Sequence, residues 1–420
     1  MRETLRGAAR QLFDVAIAAA DPAAALSRQL AARPIEVRPG GTLFVIAVGK
    51  AACPMMREAL RHAPQDHPCR ALAVTNYENE AEIEGCTVMV AGHPVPDQNG
   101  LKAGEAVIAL LEEAQAEDTV IALISGGGSA LLPAPMDGVS LADKARVSEL
   151  LLAAGVDINQ MNMVRQQLSR LKGGGMTALA APARVEAFIL SDVIGDDLRA
   201  IASGPTASPI GTRQTARALL EDLEIFEKMP ASVQQVLSEP VPDAPSAPSS
   251  TNHLICSNRR SLEAMLDAAE GWAARIVADD LTGNVAEVAP ELVKIAKAAK
   301  PGEALLFGGE TTVTLTGTGL GGRNQDLALR MALAAGELGE DWVFLSGGTD
   351  GRDGPTEAAG GLVDGTSLAR ISAGGEDAAA CLANNDSNRA LNAAGDLVMT
   401  GGTGTNVADV QIFLRGPAPE

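Results

Sequence analysis

The sequence is poor in aromatic residues: Phe, Trp and Tyr make up only 2% of its 420 residues. Its cores are therefore expected to be built from Ala, Val, Leu and Ile, which suits helices packed on a parallel sheet. Positive charge is also scarce. With 33 Lys and Arg against 53 Asp and Glu, the formal net charge is −20. Such a chain lacks the electrostatic footprint of a nucleic-acid or anionic-membrane binder. It can hold anions only by local means: backbone N–H groups, helix N-termini and a few placed cations.

Five cysteines, Cys53, Cys69, Cys86, Cys256 and Cys381, are odd in number, widely spaced and never in a C-x-x-C pair. They provide neither a disulfide framework nor a zinc site, and they fit a reducing, cytoplasmic setting. No apolar run approaches the ~18 residues of a membrane span. The opening MRETLRGAARQLFDVAIAAADP is not a signal peptide, because Arg10 and Asp14 interrupt its apolar stretch. Leu5, Ala9, Leu12, Ala16 and Ala19 fall at helical spacing, so it reads as an amphipathic helix.

What is present is ample apolar material, 46% of the chain, with 20% charged residues. The length suggests about two to three domains at ~150 residues each. Short β-rich runs alternate with helical stretches. The strand candidates are Leu43–Val48, Leu72–Thr75, Thr87–Val90, Thr119–Ile124, Val185–Leu190, Leu254–Cys256, Arg275–Ala278, Ala304–Phe307, Thr311–Thr316 and Trp342–Leu345. This alternation predicts an α/β fold of βαβ units with a mostly parallel sheet. The compositional break SEPVPDAPSAPSS, Ser238–Ser250, reads as a linker. It divides the chain into an N-terminal domain, 1–240, and a C-terminal one, 250–420.

In doubly wound sheets, ligands sit beyond the carboxyl ends of strands. The residues that follow the apolar runs are VGKA, SGGGS, SDVIGDD, CSNRR, FGGE and SGGTDGRDG, with the loop GTGLGGRNQ. In SGGGS, Ser125–Ser129, successive N–H groups freed of Cβ atoms can converge on a tetrahedral anion, with the Ser hydroxyls adding donors. Lys50 ends a buried strand but is followed by Ala51, so Gly49-Lys50 is not a P-loop. It is either a solvated side chain or a phosphate-binding cation. GTGLGG, Gly317–Gly322, matches G-x-G-x-x-G, yet the preceding TTVTLT alternates polar and apolar, unlike the first strand of a dinucleotide-binding unit. Asp192, Glu310, Asp350 and Asp353 stand at strand ends, where carboxylates hold Mg²⁺, accept a proton from a hydroxyl, or make Asp-Gly turns. His93, between Gly92 and Pro94, reads as a turn residue, and no Ser-His-Asp or Cys-His order supports acyl transfer. Glycine loops, isolated cations and carboxylates together are the equipment of phosphoryl transfer. They point to a nucleotide-dependent kinase or synthetase.

VIAVGKA, GHPVPD, SGGGSALLPAP, MNMVRQQLSRLKGGGM, LSDVIGDDLRAIASGPT, FGGETTVTLTGTGLGGRNQDLAL, SGGTDGRDGPTEAAGG, NNDS and TGTNVADVQI follow one another from about residue 40 to the C-terminus. In that order they resemble the glycerate 2-kinases of the MOFRL type. The resemblance implies a Rossmann-like, mostly parallel domain plus a smaller MOFRL-type α/β domain, with the active site in the cleft. It implies transfer of a phosphoryl group from ATP, with Mg²⁺, to the 2-hydroxyl of D-glycerate, and it allows a homodimer. Some relatives carry the older label hydroxypyruvate reductase, so an NAD(P)H-dependent reductase is the rival reading. Carried over, Lys50 and Arg323 become the cations on the transferring phosphate and Asp192 the base. Glu310 and Asp350 fall to the metal. Ser125, Gly126, Gly127, Gly128 and Ser129 line the phosphate, with Asn258 and Gly309 also expected at the nucleotide. Relatives often carry a larger residue than Gly175, and Arg352 is expected to face water.

Overall fold

The computed structural model describes residues 2–240 and 250–417, so most of the Pro/Ser-rich stretch (241–249) lies outside the described residues. The chain forms two compact units. One comprises Pro22–Ser191 and Asp196–Ile255; the other comprises Met1–Asp21, Asp192–Gly195 and Cys256–Glu420.

The first unit contains strands β1 (Leu43–Val48), β2 (Cys69–Asn76), β3 (Cys86–Ala91), β4 (Thr119–Ile124), β5 (Arg184–Leu190) and β6 (Ser250–Cys256). They lie in the order β3-β2-β1-β4-β5-β6, the usual doubly wound arrangement. The pairs β1/β2, β1/β4, β2/β3 and β4/β5 are all parallel. Every residue of β1 and β4 is buried, as expected for strands covered on both faces by helices. The sequence LFVIAV and TVIALI supply that coverage with no polar atom except the Thr119 hydroxyl, which donates to the Glu36 carbonyl at 2.9 Å. The order reverses between β1 and β4, so the loops that leave these strands flank the topological switch point.

The second unit contains β7 (Ala273–Asn284), β8 (Glu303–Thr312), β9 (Trp342–Gly348), β10 (Gly360–Asp364), β11 (Leu397–Val398) and β12 (Asp409–Arg415), ordered β11-β10-β9-β12-β8-β7. This sheet is mixed. β7 and β8 are parallel, but β12 is antiparallel to both β8 and β9, and β10 is antiparallel to β9. The runs Ala304–Phe307 and Thr311–Thr316, expected as two strands, form one strand ending at Thr312. Gly308 and Gly309 interrupt the apolar pattern without breaking the chain, because both are close-approach points. A Cβ on Gly308 would lie 1.8 Å from Asn258 Oδ1, and one on Gly309 would lie 2.2 Å from the Leu281 carbonyl oxygen.

The amphipathic N-terminal helix, Arg2–Ala19, packs in this second unit. Its Leu5, Ala9, Phe13 and Ala16 join Leu262, Met265, Leu345, Val410 and Ile412 in one core. Phe13 lies so close to β9 that a Cβ on Gly347 would sit 2.7 Å from its ring. Arg6 fixes the helix electrostatically. It reaches Asp364 at 2.7 Å and Asp396 at 2.9 Å, two carboxylates with no exposed side-chain surface. Arg370 also binds both, at 3.0 and 2.6 Å. Removing Arg6 leaves two buried anions on one guanidinium. Arg6→Ala should therefore lower unfolding free energy by about 2 kcal/mol, read from urea denaturation. An unchanged midpoint would show that Arg370 suffices.

Candidate functional site

The end of β1 and the end of β4 are joined by the residues that follow them. Ser125 N donates to the Val48 carbonyl at 2.9 Å, and Lys50 N donates to the Gly126 carbonyl at 2.9 Å. The Ser125 hydroxyl, buried, accepts from Ala51 N at 3.1 Å and donates to the Val48 carbonyl at 3.2 Å. Gly49, at φ +119°, has no room for a Cβ, which would stand 2.2 Å from Ser125 Oγ. The serine was expected to offer its hydroxyl to an anion. It instead ties two strand ends together.

The glycines divide their work. A Cβ on Gly128 would meet the Ala202 Cβ at 2.9 Å, a packing constraint. Gly127, at φ +85°, lies under the His93 ring, 3.1 Å from where its own Cβ would be, and 3.4 Å from Lys50 Cγ. The Lys50 side chain is exposed, and no described carboxylate pairs with it. His93 thus stands with Lys50 rather than in an isolated turn. Burial first, then the Lys50 charge, lower its pKa, so it is neutral near pH 7. The sequence offered no signal for this beyond the rarity of histidine.

Ser129 heads a second network that draws in motifs given no role from sequence. Its Oγ lies 2.9 Å from Ser203 Oγ, and Ser203 donates to Asn162 Oδ1 at 3.1 Å. Lys172 Nζ donates to both the carbonyl and the hydroxyl of Ser129, at 2.9 Å each. Ala202 and Ser203 hold left-handed backbone, φ +49° and +61°, a conformation disfavoured for residues with a Cβ. Gly175, where a missing side chain was a concern, has no space for one: a Cβ would lie 2.1 Å from the Arg170 carbonyl oxygen.

In the other unit, Arg323 opens the helix Arg323–Ala334. Its guanidinium grips buried Asp409 at 2.6 and 2.9 Å and reaches Glu310 at 3.0 Å. Burial alone would lower the Arg323 pKa, but Asp409 and then Glu310 hold it above its ordinary value. Glu310 is raised, first by burial and then by the charges of Asp409, Asp192 and Asp350, with Arg323 opposing. These four carboxylates and one guanidinium are therefore within electrostatic reach of one another. Asp350 Oδ1 accepts from Arg352 N at 3.0 Å, and the Arg352 side chain is exposed as expected. Asp353 has a different task. It caps the helix by accepting from the N–H of Asn324 at 3.1 Å and of Gln325 at 2.8 Å. Burial pushes its pKa up to about 6, against these hydrogen bonds. Asn258 spends both amide hydrogens on the carbonyls of Val407 and Asp409, at 2.8 Å each, which positions the start of β12.

The GTGLGG loop spends most of its amides within the chain. Asn385 Oδ1 accepts from the N–H of Thr316 and Gly317, Asn384 from Thr318 and Gly319, and Asp386 from Leu320. The NNDS motif thus takes the amides from Thr316 to Leu320, groups that could otherwise face an anion.

Comparison with known proteins agrees with this organisation. A family profile described as "Domain of unknown function (DUF4147)" matches residues 8–238, and one described as "MOFRL family" matches residues 303–409. The chain is 38% identical to the D-glycerate 2-kinase of Thermotoga maritima, covering 89% of this chain and 90% of that one. It is 37% identical to the glycerate 2-kinase of Pyrococcus horikoshii, covering 89% and 87%. The crystal structure of glycerate kinase from Thermotoga maritima superimposes with a TM-score of 0.91 at 37% identity, over 98% of this chain and all of that one. These are two-unit α/β phosphotransferases by name and by fold. The chain belongs to the glycerate 2-kinase family of the MOFRL type.

The geometry at the switch point gives a direct test of the serine. Ser125→Ala leaves the buried Ala51 N–H without its acceptor and should cost about 1–2 kcal/mol of stability in chemical denaturation. A variant as stable as the parent would return the hydroxyl to ligand binding.

Proposed function

We propose that this glycerate kinase moves the γ-phosphoryl group of ATP to the 2-hydroxyl of D-glycerate, giving 2-phosphoglycerate and ADP. The observation that carries the reading is the near-full-length relation to the D-glycerate 2-kinase of Thermotoga maritima. The provisional name hydroxypyruvate reductase, borne by a relative from Agrobacterium vitis at 38% identity, finds no support in the GTGLGG loop, whose amides from Gly317 to Leu320 are hydrogen-bonded within the chain. No described helix is long and apolar enough to cross a membrane, and a small acid is a substrate for which the acidic chain needs only local cations.

In this reading the 2-hydroxyl oxygen attacks the γ-phosphorus, its proton passes to the Asp192 carboxylate, and the bond to the β-phosphate oxygen breaks. Lys50 and Arg323 offset the charge on the equatorial oxygens, where preorganised cations contribute most. The main-chain N–H groups of Gly126–Ser129 take phosphate oxygens. Among the described residues no group of three or more His, Cys, Asp or Glu forms a metal cage. Mg²⁺ does not require one, since it commonly binds through one or two carboxylates and substrate phosphates. Glu310 and Asp350 fit that limited role: burial first, and then neighbouring carboxylates with Asp350 among them, raise the Glu310 pKa, and a cation would offset that charge. Bound there, Mg²⁺ would neutralise phosphate charge. Gly309 and Asn258 act through β8 and β12 rather than by touching nucleotide.

Three outcomes follow. The product of ATP and D-glycerate should be 2-phosphoglycerate rather than the 3-isomer, with no NADH oxidation on hydroxypyruvate; the reverse pattern would sink the kinase reading. Lys50→Ala should lower kcat by at least ~10²-fold, as for one lost preorganised charge, with circular dichroism unchanged. Because ionised Glu310 is the working form, kcat/KM should fall as pH drops through a value above the ordinary glutamate range. Arg323→Gln removes the charge that lowers this pKa, so the acid limb of its residual activity should move to higher pH. A limb that stays in place would remove Glu310 from the reaction.

A further inference from the structure

One feature left without a role is a cavity of about 460 Å³ in the doubly wound unit, bordered by Gly127 and Ser129 on the triple-glycine side. Its far wall is the helix Leu141–Ala153 and the helix Ile158–Gln167. Three cations face it: Lys144, Arg165 and Lys172. Lys172 ends on Ser129, as described. Lys144 Nζ donates to the carbonyls of Pro133 at 2.5 Å and Leu168 at 3.3 Å, and Arg165 donates to Ser148 Oγ at 3.1 Å. All their protein partners are neutral oxygens. Among the described residues no carboxylate pairs with any of them, and Glu149, which also lines the cavity, is paired with Arg146 at 3.1 Å. Three cations gathered without a counter-ion, Lys172 buried and Lys144 and Arg165 half-buried, are costly. In a chain of net charge −20, three cations with no acid in contact with them stand out.

We infer that this cavity is the seat of the nucleotide, with Lys144, Arg165 and Lys172 taking its phosphate oxygens and the apolar edge of Pro94, Val95 and Pro96 taking its base. The identity of the anion as a nucleotide rests on the kinase reading. Its size does not: the volume falls in the ~300–1,000 Å³ range of pockets for drug-sized ligands and exceeds a three-carbon acid several times over. The exposed Val95 side chain, 72% accessible, offers an apolar surface that no described residue covers.

The charge state of the empty cavity provides a signature. Burial, then the charges of Lys144 and Arg165, hold Lys172 well below the ordinary lysine range. Burial and Arg165 lower Lys144 to about 7, and burial lowers Arg165. The remaining titratable neighbours are His93, itself lowered, and the paired Glu149. A bound polyphosphate favours the protonated amines, so binding at pH 8 should draw protons from solution.

The test is calorimetric titration of the full chain with ADP, inorganic phosphate and D-glycerate separately, in buffers of different ionisation enthalpy. ADP should bind wild type with net proton uptake. Lys144→Met and Lys172→Met should each weaken ADP by at least ~10-fold, as for a charged hydrogen-bond donor, and reduce the uptake. They should leave the KM for D-glycerate within a few-fold and the thermal midpoint unchanged or higher, because an apolar side chain replaces an amine that has no counter-ion. Arg165→Gln, at a partly exposed position, keeps the test open if either lysine variant fails to fold. ADP binding unaltered in the variants that fold, or a selective loss of D-glycerate affinity, overturns the inference while leaving the kinase reading intact. ADP binding with proton uptake in a wild-type chain that forms no phosphoglycerate supports the cavity and overturns the kinase reading.

Discussion

Pairing of β1 with β4 constrains the doubly wound unit more than any other contact. Leu43–Val48 lies against Thr119–Ile124 in unbroken register, Val48 opposite Ile124, with both strands fully buried. Such a pair has no freedom to slip, since a one-residue shift would turn each side chain to the opposite face. The chain must leave both strands at the same level, and the only way to do so is with residues small enough to pass one another. Gly49 and Ser125 meet that demand, and the buried serine hydroxyl satisfies the two backbone groups that the departure exposes. Lys50, His93 and Gly127 inherit their positions from this junction.

Two groups of cations, one in each unit, are held in opposite ways. In the mixed-sheet unit, Arg323 is held by two carboxylates, and Arg6 and Arg370 share two more. Each cation there has an anion at contact distance, so its protonation is secure and its geometry fixed. In the doubly wound unit, Lys144, Arg165 and Lys172 rest on carbonyls and hydroxyls alone. A cation supported by neutral oxygens keeps its donors oriented but its charge uncompensated. The first arrangement suits a fixed electrostatic scaffold. The second suits a site whose compensation arrives with a ligand.

Much of the fold could be read directly from the residues. β1 and β4 have the limits expected from their apolar runs, and the amphipathic spacing of Leu5, Ala9, Leu12 and Ala16 is the buried face of the first helix. The antiparallel β12 could not be read, because DVQIFLR is the last strand in sequence yet inserts between β8 and β9. Nothing local records which neighbours a strand will find. Of the candidate site, Lys50 and the carboxylates Asp192, Glu310 and Asp350 could be singled out because each stands just beyond an apolar run. Lys144, Arg165 and Lys172 were not, since a basic residue in a polar stretch looks the same whether solvated or buried. Their distinguishing property is the lack of an acidic partner, and partners are set by tertiary structure.

The two glycine-rich loops show why composition alone misleads about anion binding. GTGLGG carries the better-known spacing, yet the side chains of Asn384, Asn385 and Asp386 occupy its amides, and a Cβ at Gly317 or Gly319 would collide with that same segment. Its glycines exist so that one loop can lie on another. SGGGS matches no fingerprint. Among the described residues no side-chain acceptor claims the amides of Gly126, Gly127 or Gly128, and the nearest side chains to Gly127 are a neutral histidine and an unpaired lysine. What makes a glycine turn a phosphate cradle is therefore the state of its donors once the chain has folded. A loop already hydrogen-bonded to its own protein has nothing left to give a ligand.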